Sequence, residues 1–299
     1  MSLSILDIGK DFLSSSMQSF FAKLYWNMKN YLKYRTVDMF KAVEIETISV
    51  CNRRCVYCPV RYYKRESKLM NEKLFKKIID DLSKINFSGR ISPHFYGEPL
   101  LDKRLPRLMK YVKRKLPKCK IVIFTNGDFL NKETFHNLIN SGVDKFLITQ
   151  HGEKMSVNMN NLFKELNRSQ KRKYIHYRVY TMENTNLSNR GGLVDPDNMI
   201  KMKFCPLPSD IAVIDYNGHV ILCCNDYFSQ HVFGDANKEN LIYIWNKPIW
   251  KKVRHDLMTG KFDWEICKIC VGLKPAPTNP PNYVAPADKE FLQSIQSIK

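Results

Sequence analysis

Three cysteines stand close together early in the chain, Cys51, Cys55 and Cys58, within V-E-I-E-T-I-S-V-C-N-R-R-C-V-Y-C-P from Val43 to Pro59. Three thiolates at C-x3-C-x2-C spacing suit an iron–sulfur cluster with one iron left unligated, and that free iron can do chemistry. Zinc ribbons pair their cysteines as C-x2-C, and closed structural zinc sites use four ligands. The apolar run before Cys51 reads as a strand, and thiols at its carboxyl end lie where α/β barrels build active sites. A second group follows far downstream, Cys205, Cys223, Cys224, Cys267 and Cys270. Its spacing alone permits a four-cysteine zinc site as well as a second cluster. Cys119 stands apart beside an apolar strand and reads as an ordinary thiol.

The elements that must position these thiols alternate. Strand 43–50 leads into the first cysteines, and helix 71–85 opens at Asn71, a good N-cap type. Strand 91–96 ends at Gly97-Glu98-Pro99 and is followed by helix 103–115. Strand 120–125 runs into Asn126-Gly127, and helix 132–140 stops at Gly142. Strand 145–150 ends at His151-Gly152, ahead of helix 157–166 and strand 174–180. Alternation of this kind implies a parallel sheet with right-handed crossovers. Too few units are present for an eightfold barrel. The fold class is therefore α/β, a partial open (β/α) barrel of about five or six parallel strands. A hairpin over 211–215 and 220–224, turned at Asn217-Gly218, and a helix over 241–258 make a smaller module after it.

This divides the chain into an N-terminal helical segment (1–42), the partial barrel (43–190), the small module (191–272) and a Pro-rich tail (273–299). Ile5, Ile8, Phe12, Met17, Phe20, Phe21, Leu24, Met28 and Leu32 give the first segment a helical apolar stripe. Packing against the main domain is the favoured reading. A membrane-surface helix is the alternative, with Lys10, Lys23, Lys29 and Lys33 for it and Asp7 and Asp11 against it. The tail, K-P-A-P-T-N-P-P, reads as an extended strap.

With 299 residues, 44% hydrophobic and 12% aromatic, the chain has the composition of a folded globular protein. It lacks a run of about 18 uncharged apolar residues, so no membrane-spanning helix is expected. Its first residues lack the pattern of a signal peptide, which points to the cytoplasm. There, nine cysteines argue for metal or redox chemistry over disulfides. The net charge of +19 reads mostly as solvated helix faces, with attraction to an acidic partner as the functional alternative. Arg53 and Arg54 are the exception, because cations beside cysteines favour thiolates.

The cysteine motif, with the aromatic Tyr57 just before its last cysteine, resembles the signature of the radical SAM enzymes. The resemblance implies that Cys51, Cys55 and Cys58 hold a [4Fe-4S] cluster whose fourth iron takes S-adenosylmethionine (SAM). Gly97-Glu98-Pro99 resembles the family's Gly-Gly-Glu element, with Tyr96 in place of the first glycine. Thr125-Asn126-Gly127 resembles its T-N-G, and Ile148 to Gly152 its hydroxyl-x-Asp-Gly, with His151 where aspartate is usual. The implied cofactor contacts are Tyr57, Gly97, Glu98, Pro99, Asn126, Thr149 and Arg178. Arg178 could pair with the SAM carboxylate or simply face solvent. His151 could touch substrate or accept a proton, or be structural.

The second cysteine group resembles the twitch domain, the shortened SPASM domain. Asn217-Gly218, Gly234-Asp235-Ala236, Trp245 and Arg254 support the likeness. It implies an auxiliary [4Fe-4S] cluster on Cys205, Cys223, Cys267 and Cys270. Cys224 is an alternative to Cys223, since strand alternation lets only one of them face the cluster. The likeness covers Val43 to Val271, and the layout is similar to the aminocyclitol dehydrogenase type of butirosin biosynthesis. That type implies oxidation of a secondary alcohol on a sugar or aminocyclitol-like molecule. A 5′-deoxyadenosyl radical takes the hydrogen atom, the auxiliary cluster accepts the electron, and Arg190 assists deprotonation. An acidic one-electron donor such as flavodoxin or ferredoxin is implied as partner. Two other readings stay open, a SPASM-type peptide-modifying maturase and a zinc or iron–sulfur nucleic-acid-binding protein. No winged-helix peptide module or known nucleic-acid module is evident, and no nucleic acid is expected.

Overall fold

Strand β1 (Ala42–Ile45) is buried at every position, as a central strand covered on both faces must be. The computed structural model describes residues 38–180, 188–194 and 202–276, with scattered positions between 24 and 34. It divides the chain into two units, Met1–Phe40 and Lys41–Lys299. In the first, Leu24, Met28 and Leu32 are helical and exposed. The earlier apolar positions, Ile5 to Phe21, lie outside the described residues, as do residues 277–299 of the tail.

In the second unit β1 is joined in parallel by β2 (Arg90–Ser92), and outward from there lie β3 (Lys120–Thr125), β4 (Lys145–Gln150) and β5 (Ile175–Val179). The crossovers are α1 (Glu72–Lys84), α2 (Leu105–Lys115), α3 (Lys132–Asn140) and the pair α4 (Val157–Glu165) and α5 (Arg168–Tyr174). In α1, Leu74, Phe75, Ile78, Ile79 and Leu82 are buried at helical spacing, and the Asn71 side chain caps it by accepting from the Lys73 N–H. Lys76 pairs with Glu72, both Lys77 and Lys84 pair with the buried Asp81, and Lys115 of α2 pairs with Asp80. This part of the positive charge is a solvated helix face.

The sheet does not stop with the barrel strands. After the short helix α6 (Leu207–Asp210), β6 (Ile211–Ile214) pairs in parallel with the free side of β1, Val43 opposite Ala212. The antiparallel strands β7 (His219–Ile221) and β8 (Val232–Asp235) then extend the open sheet, in the order β5-β4-β3-β2-β1-β6-β7-β8. Six strands paired in parallel and two added antiparallel thus share one sheet. The carboxyl end of β1 lies between the ends of β2 and β6.

Several boundaries differ from the sequence reading. β1 ends at Ile45 instead of residue 50, and beyond it Ile48 forms an isolated bridge with Leu69. β2 ends at Ser92 because Pro93 has no N–H to donate. The expected helix 241–258 is two helices, α7 (Leu241–Trp245) and α8 (Pro248–Met258), since Pro248 is accommodated at a helix start and not in its interior. Arg254 of α8 is 2% exposed, lies 3.9 Å over the Trp245 ring and donates to the Trp245 carbonyl at 3.0 Å, fastening the two helices. The last described helix, α9 (Glu265–Cys270), carries the terminal pair of cysteines. Among the described residues no helix is long and apolar enough to cross a membrane.

Candidate active site

Cys51, Cys55 and Cys58 are half-buried in a loop that begins where β1 has ended. The Cys58 N–H donates to the Cys55 carbonyl at 3.0 Å, and Pro59 opens a 3-10 turn. Arg53 clamps the loop to the turn after β3: its Nε and Nη2 each donate at 2.6 Å to the Asp128 carboxylate, and its Nη1 donates to the His151 carbonyl at 3.0 Å. Arg54 donates to the Cys51 carbonyl at 2.8 Å. Both arginines therefore brace the loop backbone as well as supplying positive charge. Burial pushes up all three thiols; Arg53 opposes this at Cys55, and Arg190 and Arg54 oppose it at Cys58. Thiols desolvated in this way become thiolates when a bound metal supplies the charge, so the donor set fits an iron–sulfur cluster.

The strand ends expected to form the rim do converge. The Cβ of any other residue at Gly97 would lie 1.9 Å from the Ile48 carbonyl oxygen, so glycine alone lets this turn approach the segment after β1. Glu98 is 3% exposed, and its carboxylate accepts from the Thr125 hydroxyl at 2.6 Å, the Asn126 N–H at 2.8 Å and the Leu100 N–H at 3.1 Å. Burial pushes its carboxyl up to about 7 while these donors pull the other way. This carboxylate, one of the implied cofactor contacts, thus ties the turn after β2 to the end of β3. Pro99 is buried at the start of a 3-10 turn.

Asn126 donates to Asn52 at 2.8 Å, and Asn52 donates to Asp128 at 2.8 Å. Asn52 and Asp128 were missed by the sequence reading. The available signal was an acid directly after T-N-G in a strongly basic chain. The Tyr57 hydroxyl and His151 Nδ1 are hydrogen-bonded, with the Tyr180 ring 5.8 Å from that of Tyr57. Burial, with Arg53 and Arg178 adding to it, pulls His151 down to about 4, so its ring is neutral at neutral pH. Arg178 and Thr149 face each other on β5 and β4, with Nε donating to the hydroxyl at 2.9 Å.

The second group of cysteines has a different setting. Cys205, Cys223, Cys267 and Cys270 line one pocket whose walls include Leu207, Leu257, Phe262 and Ile266. Cys224 does not line it. Its carbonyl accepts from the Tyr96 hydroxyl at 2.9 Å, and its thiol is pushed up to about 12 by burial, with Glu44 adding to this and Arg190 opposing it. Asn225, also missed earlier, donates from Nδ2 to Cys270 Sγ at 3.2 Å and from its backbone N–H to Cys223 Sγ at 3.4 Å. Four thiols in a largely apolar pocket, with N–H donors to sulfur at Cys205, Cys223 and Cys270, fit a fully ligated cluster. Among the described residues no three His, Cys, Asp or Glu side chains converge as ligands of one metal ion.

Arg190 lies between the two groups. Its charge is felt at Cys58 and at Cys224, its Nη1 donates to Asn225 Oδ1 at 3.4 Å, and its buried Nε has no hydrogen-bond partner among the described residues. It has φ +52°, followed by Gly191 at +69° and Gly192 at +90°. A non-glycine residue held in the left-handed region marks a site where the surroundings dictate the backbone.

Comparisons with known proteins find relatives over both cysteine-bearing parts of the chain. The family model of the radical SAM superfamily matches residues 45–174, and that of SPASM, an iron–sulfur cluster-binding domain, matches residues 205–271. The chain is 34% identical over 237 residues to the S-adenosyl-L-methionine-dependent 2-deoxy-scyllo-inosamine dehydrogenase of Niallia circulans, covering 78% of this chain and 93% of that protein. A shorter match, 33% over 104 residues, is to the tungsten-containing aldehyde ferredoxin oxidoreductase cofactor-modifying protein of Pyrococcus furiosus, covering 35% of this chain and 29% of that one. In structure the chain is similar to BtrN in complex with AdoMet and 2-DOIA, with 34% identity, a TM-score of 0.72 and coverage of 78% of this chain and 93% of that chain. It is also similar to BtrN in an open conformation, with 28% identity, a TM-score of 0.58 and coverage of 82% and 93%.

Proposed function

The chain belongs to the radical SAM superfamily, and from that premise we propose that it dehydrogenates a secondary alcohol on an aminocyclitol or related sugar-like molecule. The 2-deoxy-scyllo-inosamine of its relative is the first candidate substrate. In this reading, residues 43–190 make the radical-generating half and residues 191–272 the electron-accepting half. Cys51, Cys55 and Cys58 hold the SAM-binding [4Fe-4S] cluster, and Cys205, Cys223, Cys267 and Cys270 hold the auxiliary one. Together these cofactors supply a 5′-deoxyadenosyl radical that takes the carbinol hydrogen and an acceptor for the electron left behind.

The protein's own part is to hold, orient and desolvate. Asn126, Thr149 and Arg178 offer an amide, a hydroxyl and a guanidinium at the rim for the ribose and carboxylate of SAM. Gly97 and Pro99 shape the turn that lets the cofactor lie close to the backbone. Glu98 keeps that turn registered with Asn126. Tyr57, backed by neutral His151, covers the first cysteine loop on one side. Arg190 carries the reading: its Nε, which has no hydrogen-bond partner among the described residues, lies between the two cysteine groups and is available to the substrate oxygen as that oxygen gives up its proton. We place the reaction in the cytoplasm, with an acidic one-electron donor such as flavodoxin or ferredoxin.

Anaerobically reconstituted protein should form a ketone from 2-deoxy-scyllo-inosamine or a related polyol, and none of a panel of peptides should be modified. Peptide modification in the absence of ketone would replace this assignment with a maturase.

A further inference from the structure

Outside the residues discussed so far, one buried charged side chain touches almost every segment that meets beside the first cysteine loop. Glu46, just after β1, is fully buried. Its Oε1 accepts from Arg65 Nη1 at 3.0 Å and from the Tyr96 N–H at 3.3 Å, while its Oε2 accepts from Arg65 Nη2 at 2.5 Å and from the Tyr216 N–H at 3.4 Å. One carboxylate thereby joins the end of β1, the segment beyond the cysteine loop, the turn after β2 and the turn after β6. The guanidinium of Arg65 is enclosed by three rings, Phe95 at 5.2 Å, Tyr216 at 5.2 Å and Tyr227 at 5.0 Å.

The enclosing rings lead to both groups of cysteines. The Tyr227 hydroxyl donates to the Tyr63 carbonyl at 2.8 Å, and Cys51 and Cys58 rest against the cluster of Val60, Tyr63 and Tyr227. In the other direction the Tyr227 ring meets the Tyr96 ring edge-on at 4.7 Å, and the Tyr96 hydroxyl donates to the Cys224 carbonyl. We propose that Glu46 and Arg65 are positioning residues that set the spacing and relative orientation of the two cysteine sites. Apolar replacement of a buried ion pair is often neutral or stabilising, so stability alone does not explain its presence here. A planar, bidentate, ring-stacked pair fixes direction as well as distance, which a lysine cannot reproduce. The inference rests on the two-cluster reading above but not on the identity of the substrate.

The test uses the full chain with both clusters reconstituted and compares Arg65→Lys with the double variant Glu46→Met/Arg65→Met, the latter chosen to leave no unpaired buried charge. Iron content per chain should match the wild type in at least one of the two. The magnetic interaction between the two reduced clusters, read by pulsed electron paramagnetic resonance, should be shifted or broadened in that variant. An ångström of misplacement can cost about 100-fold in rate, so ketone formed per SAM consumed should fall by about tenfold or more. Unchanged interaction spectra in an iron-replete variant would overturn the proposal, whatever its melting temperature. So would loss of iron from both variants, which would make the pair a folding element only. The spectroscopic arm needs no substrate, so a wrong substrate assignment leaves it readable.

Discussion

The two cysteine sites differ in number of thiols, in surroundings and in what they leave open. The first has three thiols in a loop held by polar and charged side chains, Asn52, Arg53, Asn126 and Asp128. The second has four thiols in a pocket walled mostly by aliphatic and aromatic groups, with Asn225 among the hydrogen-bond donors to its sulfurs. A site with an unfilled coordination position needs neighbours that can bind a charged ligand. A site that only takes up an electron needs closure and dryness, because burial and hydrogen bonds to sulfur set its potential. The contrast is between three thiols set among polar and charged groups and four set among apolar ones, which suits the unlike tasks proposed for them.

Removing a ligand from each site should separate those tasks most sharply. Cys58→Ala should abolish SAM cleavage altogether. Cys267→Ala should still cleave SAM to 5′-deoxyadenosine but form almost no ketone, as product analysis by mass spectrometry would register. If Cys267→Ala retained full ketone yield, the second site would have no place in the oxidation.

Asp128→Asn should sharpen the account of the first site. It keeps the shape but removes the charge that holds Arg53, and outer partners of this kind are worth about 10- to 100-fold in metal affinity or activity. Iron retention should fall at the three-cysteine site and be unaffected at the other, by Mössbauer quantitation.

A smaller effect is expected at the second site. Asn225→Ala removes an N–H···S bond that favours the more negative, reduced cluster, so the auxiliary potential should move downward in a redox titration. The potential of the SAM-binding site should not move with it.

The smallest effect concerns Glu98 and reads the protein without cofactor. With its folded-state value raised to about 7 from 4.5, the folded protein holds an extra proton between those limits. The associated stability is fully present below 4.5 and is lost as pH rises towards 7. Glu98→Gln should flatten that part of the melting-temperature profile.

Much of this was legible in the chain because it is local. The C-x3-C-x2-C loop, the Asn217-Gly218 turn and the strand–helix alternation each depend on residues close in sequence. Gly218, with φ +96°, does sit in the hairpin turn that Asn-Gly foretold. The return of β6 to the free side of β1 was not legible, because strand pairing across such a separation is decided by burial of both edges and leaves no local signature. Glu46 and Arg65 read as two more charges in a charged chain until the fold brought three rings around the guanidinium. Alternation indicated that only one of Cys223 and Cys224 could face the second site, but not which; the pocket is lined by Cys223. The motif points to Glu98 as a cofactor contact; what it leaves illegible is that the same carboxylate also accepts hydrogen bonds from the neighbouring strand end.

The most direct measurement follows one hydrogen atom. Reconstituted protein should be given SAM, reductant and an aminocyclitol carrying deuterium only at the carbinol carbon. A single deuterium in 5′-deoxyadenosine, with one ketone formed for each SAM consumed, is the predicted result. Ketone formed while 5′-deoxyadenosine stays free of deuterium, or no ketone from any aminocyclitol or sugar tried, would contradict the assignment.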